Sequence, residues 1–144
     1  MRTIDFDNLI LGRASTTVAK ALLRGENVNI VNCEKAVVIG TPEGIMEKFR
    51  RRNAWRHKGN PAKRGPKFDR APDRLVRYTI RNMLPDKQSR GKEALLKLRI
   101  FIGIPKNLEG QSFERIEKAR NTEPKRFMTM AKISQSLGMN MEYA

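Results

Sequence analysis
Val28-Asn29-Ile30-Val31-Asn32-Cys33-Glu34-Lys35-Ala36-Val37-Val38-Ile39-Gly40-Thr41-Pro42-Glu43 contains two short β-branched runs followed by the opening of a helix. Its reading decides the fold class. Val28 to Val31 and Ala36 to Ile39 are short and rich in β-branched residues, so they read as buried strands. Gly40 ends the second run. Thr41, Pro42 and Glu43 then supply an N-cap hydroxyl, a proline whose fixed φ suits the first helical turn, and an acid that complements the helix dipole. The helix they open carries Ile45, Met46 and Phe49.

Upstream, Thr3 to Phe6 reads as another strand. Ala14, Val18, Ala21 and Leu22 then recur at i, i+4, i+7 and i+8, and Gly25 stops that helix. Downstream, Gly59, Pro61, Gly65, Pro66 and Pro72 deny helix or central strand to residues 59 to 72, which read as an extended loop. From Pro72 a helix runs to Leu84, stopped by Pro85, with Leu75, Val76, Thr79, Ile80 and Met83 along one side. A shorter helix from Ser89 leads through Ala94, Leu95 and Leu96 into a strand, Leu98 to Ile102. Weaker helical patterns follow around Phe113 to Arg120 and from Met130 to Leu137. The order predicts a layered α/β domain with a mostly parallel sheet and a polar tail.

At 144 residues the chain suits one domain, and its 39% hydrophobic content can fill a core. Cys33 has no second cysteine to pair with, and with His57 as the single histidine there is no ligand set for structural zinc. These point to an intracellular protein without metal or other cofactor. The first eight residues carry Asp5 and Asp7 where a signal peptide needs an apolar run, and no window approaches the ~20 apolar residues of a membrane span. The turn Asn8 to Arg13 has one glycine where a dinucleotide fingerprint needs three, so an ordinary strand-to-helix turn is expected there. No phosphate-binding loop of the G-x-x-x-x-G-K-[ST] kind occurs. Cys33 lies in an apolar stretch and His57 in a basic one, with no third group to orient them, which argues against a catalytic dyad. The acids offer no carboxylate pair placed for acid/base chemistry. No small-molecule substrate is expected.

Charge distribution says more than the total of +15. Residues 1 to 47 sum to −1, residues 48 to 81 to +11, and residues 82 to 144 to +5. A solubilising surface would spread its charge, whereas this concentration fits a polyanion. In the helix after Pro72, Arg74, Arg77 and Arg81 follow i, i+3 and i+7, with Arg70 on the same side just before it. The stripe lies opposite the apolar face and reads as unpaired, suited to bidentate contacts with phosphates. Lys48, Arg50, Arg51, Arg52, Arg56 and Lys58 close the preceding helix and enter the loop, where Lys63, Arg64 and Lys67 continue the charge. Trp55 and Phe68 lie among these bases. They either stack on nucleotides or anchor the loop to its own domain. Extended basic loops on a small core suit a folded RNA, read through shape and phosphates. The segment from Asn53 to Arg70 is expected to be mobile until RNA neutralises it.

Asn60 to Pro66, Arg70 to Leu75, Ile80-Arg81-Asn82-Met83-Leu84-Pro85, Arg90-Gly91 and Leu98 to Pro105 together resemble the universal large-subunit ribosomal protein thirteen family, nearest its archaeal and eukaryotic branch. Leu11-Gly12-Arg13-Ala14-Ser15, Val18-Ala19-Lys20, Val31 to Val37 and Thr129 to Ser134 extend the resemblance over nearly the whole chain. Asn82 departs from a frequent glycine, and Met130-Ala131 from a common Leu-Gly. The resemblance implies a non-catalytic, cytoplasmic ribosomal protein with an α/β/α layer built on a four-stranded, largely parallel sheet. It implies that the protein binds large-subunit ribosomal RNA, neighbours other large-subunit proteins and supports subunit assembly. A second reading is an RNA-binding translational regulator acting off the ribosome. On either reading the expected RNA-binding residues are Arg50, Arg51, Arg52, Trp55, Arg56, Lys58, Lys63, Arg64, Lys67, Arg70, Arg74, Arg77, Arg81, Lys87 and Arg90. The expected organisation is a single domain over 1–144, with a basic insertion at about 48–81 and a C-terminal extension at about 104–144.

Overall fold
A computed structural model describes residues 2–54, 68–85, 87–122 and 126–139. The expected extended loop of residues 59 to 72 therefore lies largely outside the described residues. Strand β1 (Arg2–Asp5) leads through a turn into helix α1 (Leu11–Leu23), which returns the chain to β2 (Val28–Val31). Ala14, Val18, Ala21 and Leu22 all face the interior, as their spacing requires. Gly25 ends the unit at φ +94°, a left-handed position that favours a residue without Cβ. Strand β2 is buried along its whole length, the polar Asn29 included.

Beyond β2 the chain leaves the sheet. Asn32 takes a left-handed conformation (φ 54°), and Cys33–Lys35 form one turn of 3₁₀ helix. Strand β3 (Val37–Ile39) emerges rotated away, touching the loop before α1 through a single bridge, Ile10 to Val37. Thr41 then caps helix α2 (Pro42–Asn53), its hydroxyl accepting from the Gly44 N–H at 3.4 Å. Helix α3 (Pro72–Arg81) buries Leu75, Val76 and Ile80, and helix α4 (Ser89–Leu96) delivers the chain to strand β4 (Leu98–Ile100). The segment from Asn82 to Leu84 is a turn, shorter than the expected helix to Leu84. Strand β4 likewise ends at Ile100 instead of Ile102.

The parallel sheet has the order β1-β2-β4, with Ile4 opposite Ile30 and Ile30 opposite Ile100. It has three strands where four were expected. The reason is strand β5 (Phe127–Thr129), which was not anticipated and takes β3 as its antiparallel partner, Val37 to Thr129 and Ile39 to Phe127. A two-stranded ribbon forms in place of a fourth parallel strand. Helix α5 (Met130–Ser136) follows at once, its first turn capped by Thr129. The expected helix around residues 113 to 120 is mostly irregular, with one 3₁₀ turn at Glu117–Ala119. This stretch covers the outer edge of β1 instead. The Asp5 N–H donates to the Glu114 carbonyl, and the Glu114 N–H to that of Thr3. An open strand edge is thereby closed.

One buried cluster unites the elements, from Ile4, Phe6 and Leu9 through Val76 and Ile80 to Met130, Ile133 and Leu137. Helix α1 packs against both α3 and α4. Near the sheet's C-terminal end, Asp5 accepts from the Asn32 amide at 2.8 Å and from the Asp7 N–H at 3.0 Å. Its other oxygen meets Arg115 at 3.3 Å. Hydrogen bonding is what makes this buried carboxylate tolerable. Among the described residues no helix is long and apolar enough to cross a membrane.

Candidate nucleic-acid interface
The basic region surrounds the place where α2 and α3 meet. Arg50, Arg51 and Arg52 form the last turn of α2, where cations complement the helix dipole. Arg50 is exposed. Arg51 pairs with Glu47 at 2.6 Å across one turn, with both side chains largely in solvent. Arg52 is half-buried and turns inward. Its guanidinium carbon lies 3.4 Å from the centre of the Tyr78 ring and 5.0 Å from that of Phe68. Tyr78 comes from α3 and Phe68 from the segment entering it, so the contact ties both elements to the end of α2. Phe68 is thus half-buried against its own domain.

Helix α3 begins at Pro72 with Asp73 in its first turn. Its arginines do not form the single unpaired stripe that their spacing predicts. Arg74 is exposed and bonds Asp69 at 2.6 Å, which holds the guanidinium above its ordinary pKa. Arg77 is half-buried and donates to the main-chain carbonyls of Leu98 at 3.1 Å and Leu95 at 3.3 Å. It fastens α3 to the turn between α4 and β4. At ~100° per residue Arg77 sits at one margin of the stripe, with Arg81 and Arg74 between it and Tyr78. Arg77 is therefore not unpaired, as the spacing suggests, but bonded within the protein. Arg81 is exposed and lines a cleft with Arg52, Arg74, Phe49, Phe68 and Tyr78.

Arg70 is exposed, and its carbonyl accepts from the Ser134 hydroxyl of α5 at 2.5 Å. The C-terminal segment thus holds the chain where it enters α3. Lys87 is exposed before α4, and Arg90 reaches the Leu23 carbonyl at the end of α1 at 3.4 Å. Trp55, Arg56, Lys58, Lys63, Arg64 and Lys67 lie outside the described residues, as do His57 and the expected mobility of the segment from Asn53 to Arg70. The structure brings together Arg52, Arg74 and Arg81 around one cleft, leaves Arg50 and Arg51 exposed on the last turn of α2, and bonds Arg77 and Arg90 to main-chain carbonyls. Reading the sequence missed Tyr78, Phe49 and Asp69. Tyr78 lies four residues after Arg74, and that spacing was the available signal.

The chemistry weighed for Cys33 has no support in its surroundings. The residue is fully buried, and desolvation, with Glu34 and Asp73 adding to it, pushes its thiol well above the ordinary range. No group of three or more His, Cys, Asp or Glu residues among the described ones could hold a metal ion. What the arrangement offers is cationic and aromatic groups on one side of a folded body.

Comparison with known proteins agrees in kind. The family described as "Ribosomal protein L13" matches residues 1–107. "Large ribosomal subunit protein uL13" of Picrophilus torridus is 42% identical over 139 residues, covering 96% of this chain and 98% of the relative. The protein of the same description from Methanocaldococcus jannaschii is 40% identical, with 96% and 98% covered. That of Archaeoglobus fulgidus is 39% identical, with 94% and 86% covered.

Proposed function
The chain belongs to the ribosomal protein L13 family, and on that premise we propose that it is a structural constituent of the large ribosomal subunit that binds large-subunit ribosomal RNA and supports assembly. It is a translation protein of the cytoplasmic ribosome and not an enzyme, in keeping with relatives named as ribosomal proteins. Its partners are ribosomal RNA and neighbouring large-subunit proteins. We read residues 1–144 as one domain with an α/β/α layering, supported by the single buried cluster that runs from Ile4 to Leu137.

The observation that carries this reading is the concentration of +11 in residues 48 to 81, of which Arg52, Arg74 and Arg81 meet at the cleft between α2 and α3. Arg74 and Arg81 present guanidinium groups there and Arg50 and Arg51 are exposed on the neighbouring turn of α2, and RNA phosphates displace the glutamate and aspartate that Arg51 and Arg74 otherwise hold. In the sequence, residues 55 to 67 carry five further bases, Arg56, Lys58, Lys63, Arg64 and Lys67. Phosphates neutralised by such groups release counterions, so affinity falls steeply with salt. If ~6 to 10 phosphates are contacted, raising salt from ~50 to ~200 mM weakens binding to a large-subunit rRNA transcript by ~10³ to 10⁵. A titration with almost no salt dependence would refute the electrostatic interface.

A further inference from the structure
Three of the chain's nine aromatic residues, Phe49, Phe68 and Tyr78, line one cleft between α2 and α3. The cleft measures about 190 Å³, below the ~300 Å³ at which pockets begin to hold drug-sized ligands. That size limits an occupant to one flat ring system. Leu75 forms part of its lining from the core side and is only 8% exposed. Tyr78, by contrast, is 39% exposed, an unusual position for an aromatic ring on an otherwise charged face. Planar groups are already layered here, since the Arg52 guanidinium lies 3.4 Å from the Tyr78 ring centre. Cations surround the rings: Arg52 beside them, and Arg74 and Arg81 one turn to either side of Tyr78.

From this juxtaposition we infer that the cleft between α2 and α3 is a nucleobase site, which takes one unpaired base of the bound RNA. The proposal rests on the RNA-binding reading above and deepens it. The base stacks on the layer formed by Tyr78, Arg52 and Phe68, since aromatic rings and guanidinium planes both accept a base's π-face. Its flanking phosphates fall to Arg74 and Arg81, the first exchanging Asp69 for phosphate. A fully paired A-form stem has no base to offer, because its bases are stacked within the helix and its major groove is too narrow for side chains. The site therefore selects RNA with a bulge or an unstacked loop nucleotide, a preference that phosphate contacts alone do not supply.

The test compares two RNA hairpins bound by the full chain. One carries a single bulged 2-aminopurine in its stem, and the other holds the same nucleotide paired. The protein is expected to prefer the bulged hairpin by roughly 5- to 150-fold, the ratio that ~1 to 3 kcal/mol of stacking per base produces, and to quench the bulged base's fluorescence. Tyr78→Leu and Phe68→Leu should each reduce both the preference and the quenching. Tyr78→Phe keeps the ring and should keep both signals, which separates lost stacking from a damaged fold. Equal affinity for the two hairpins with unquenched fluorescence would overturn the base site and leave the electrostatic interface standing. So would a Tyr78→Leu protein that folds and retains the preference. Failure to bind either hairpin at ~50 mM salt would refute the RNA-binding reading itself.

Discussion
Arg74 and Arg77 stand three residues apart on the same helix, and their surroundings differ sharply. Arg74 points into solvent beside Asp69, whereas Arg77 lies half-buried and binds two main-chain carbonyls. The contrast repeats on a larger scale. Residues 1 to 47 sum to −1 and supply β1, α1 and β2 with most of their buried side chains, while residues 48 to 81 sum to +11 and turn charge outward. A protein that meets a polyanion thus keeps its packing and its charge on different faces. Arg77 shows that an arginine in the charged region can nonetheless belong to the packed half.

The largest effect should come from the packed half. Phe6 is fully buried at the turn after β1, and Phe6→Ala should cost about 3 to 5 kcal/mol through lost transfer energy and a cavity. Urea unfolding measures this, and a loss under ~1 kcal/mol would mean that the core does not depend on that ring. Next comes Arg77→Met, which keeps the apolar stem but withdraws the donors from Leu95 and Leu98. It should lower stability by about 1 to 3 kcal/mol, the range for hydrogen bonds to a charged group. A melting temperature equal to the parent's would return Arg77 to the exposed stripe and erase the contrast.

Arg74→Gln should act in the opposite sense. Exposed substitutions usually shift stability by under ~0.5 kcal/mol, so the melting curve should barely move. The slope of log affinity against log salt should fall by ~1, one phosphate contact. An unchanged slope would make Arg74 a partner of Asp69 alone. The smallest effect belongs to Arg2, which donates to both Glu114 and Glu26 at the edge of β1. Arg2 holds Glu114 below its ordinary pKa of 4.5. A lowered pKa means that this stabilisation is present above the unfolded value and is lost as pH falls through the lower folded value. Both side chains are more than a third exposed, so the contribution should stay within ~0.2 to 1 kcal/mol. Stability curves of the parent and Arg2→Ala measured from pH 7 down should converge below about pH 4.5. Parallel curves would show that the ion pair contributes nothing.

Local pattern alone determined much of this protein. Val28 to Val31 is a strand because four consecutive apolar or strand-compatible residues are buried on both faces, and Gly25 ends α1 because only a left-handed residue fits there. Thr41, Pro42 and Pro72 mark helix starts through chemistry that acts within one turn. Charge segregation is likewise a property of the sequence itself, and so is the family resemblance that the comparisons bear out. What required tertiary structure were pairings between distant segments. Val37 to Ile39 could join the parallel sheet or another strand, and it was Phe127 to Thr129, remote in sequence, that took it into a ribbon. The stretch around Glu114 has no strong period of its own because its role is to close the edge of β1. That Arg77 is bonded within the protein was not legible because helical spacing assigns a direction and not a partner. Whether a guanidinium meets water, a phosphate or the carbonyls of Leu95 and Leu98 depends on where α4 and β4 pack. That is decided by burial of Ala94 and Leu98, both remote from Arg77 along the chain.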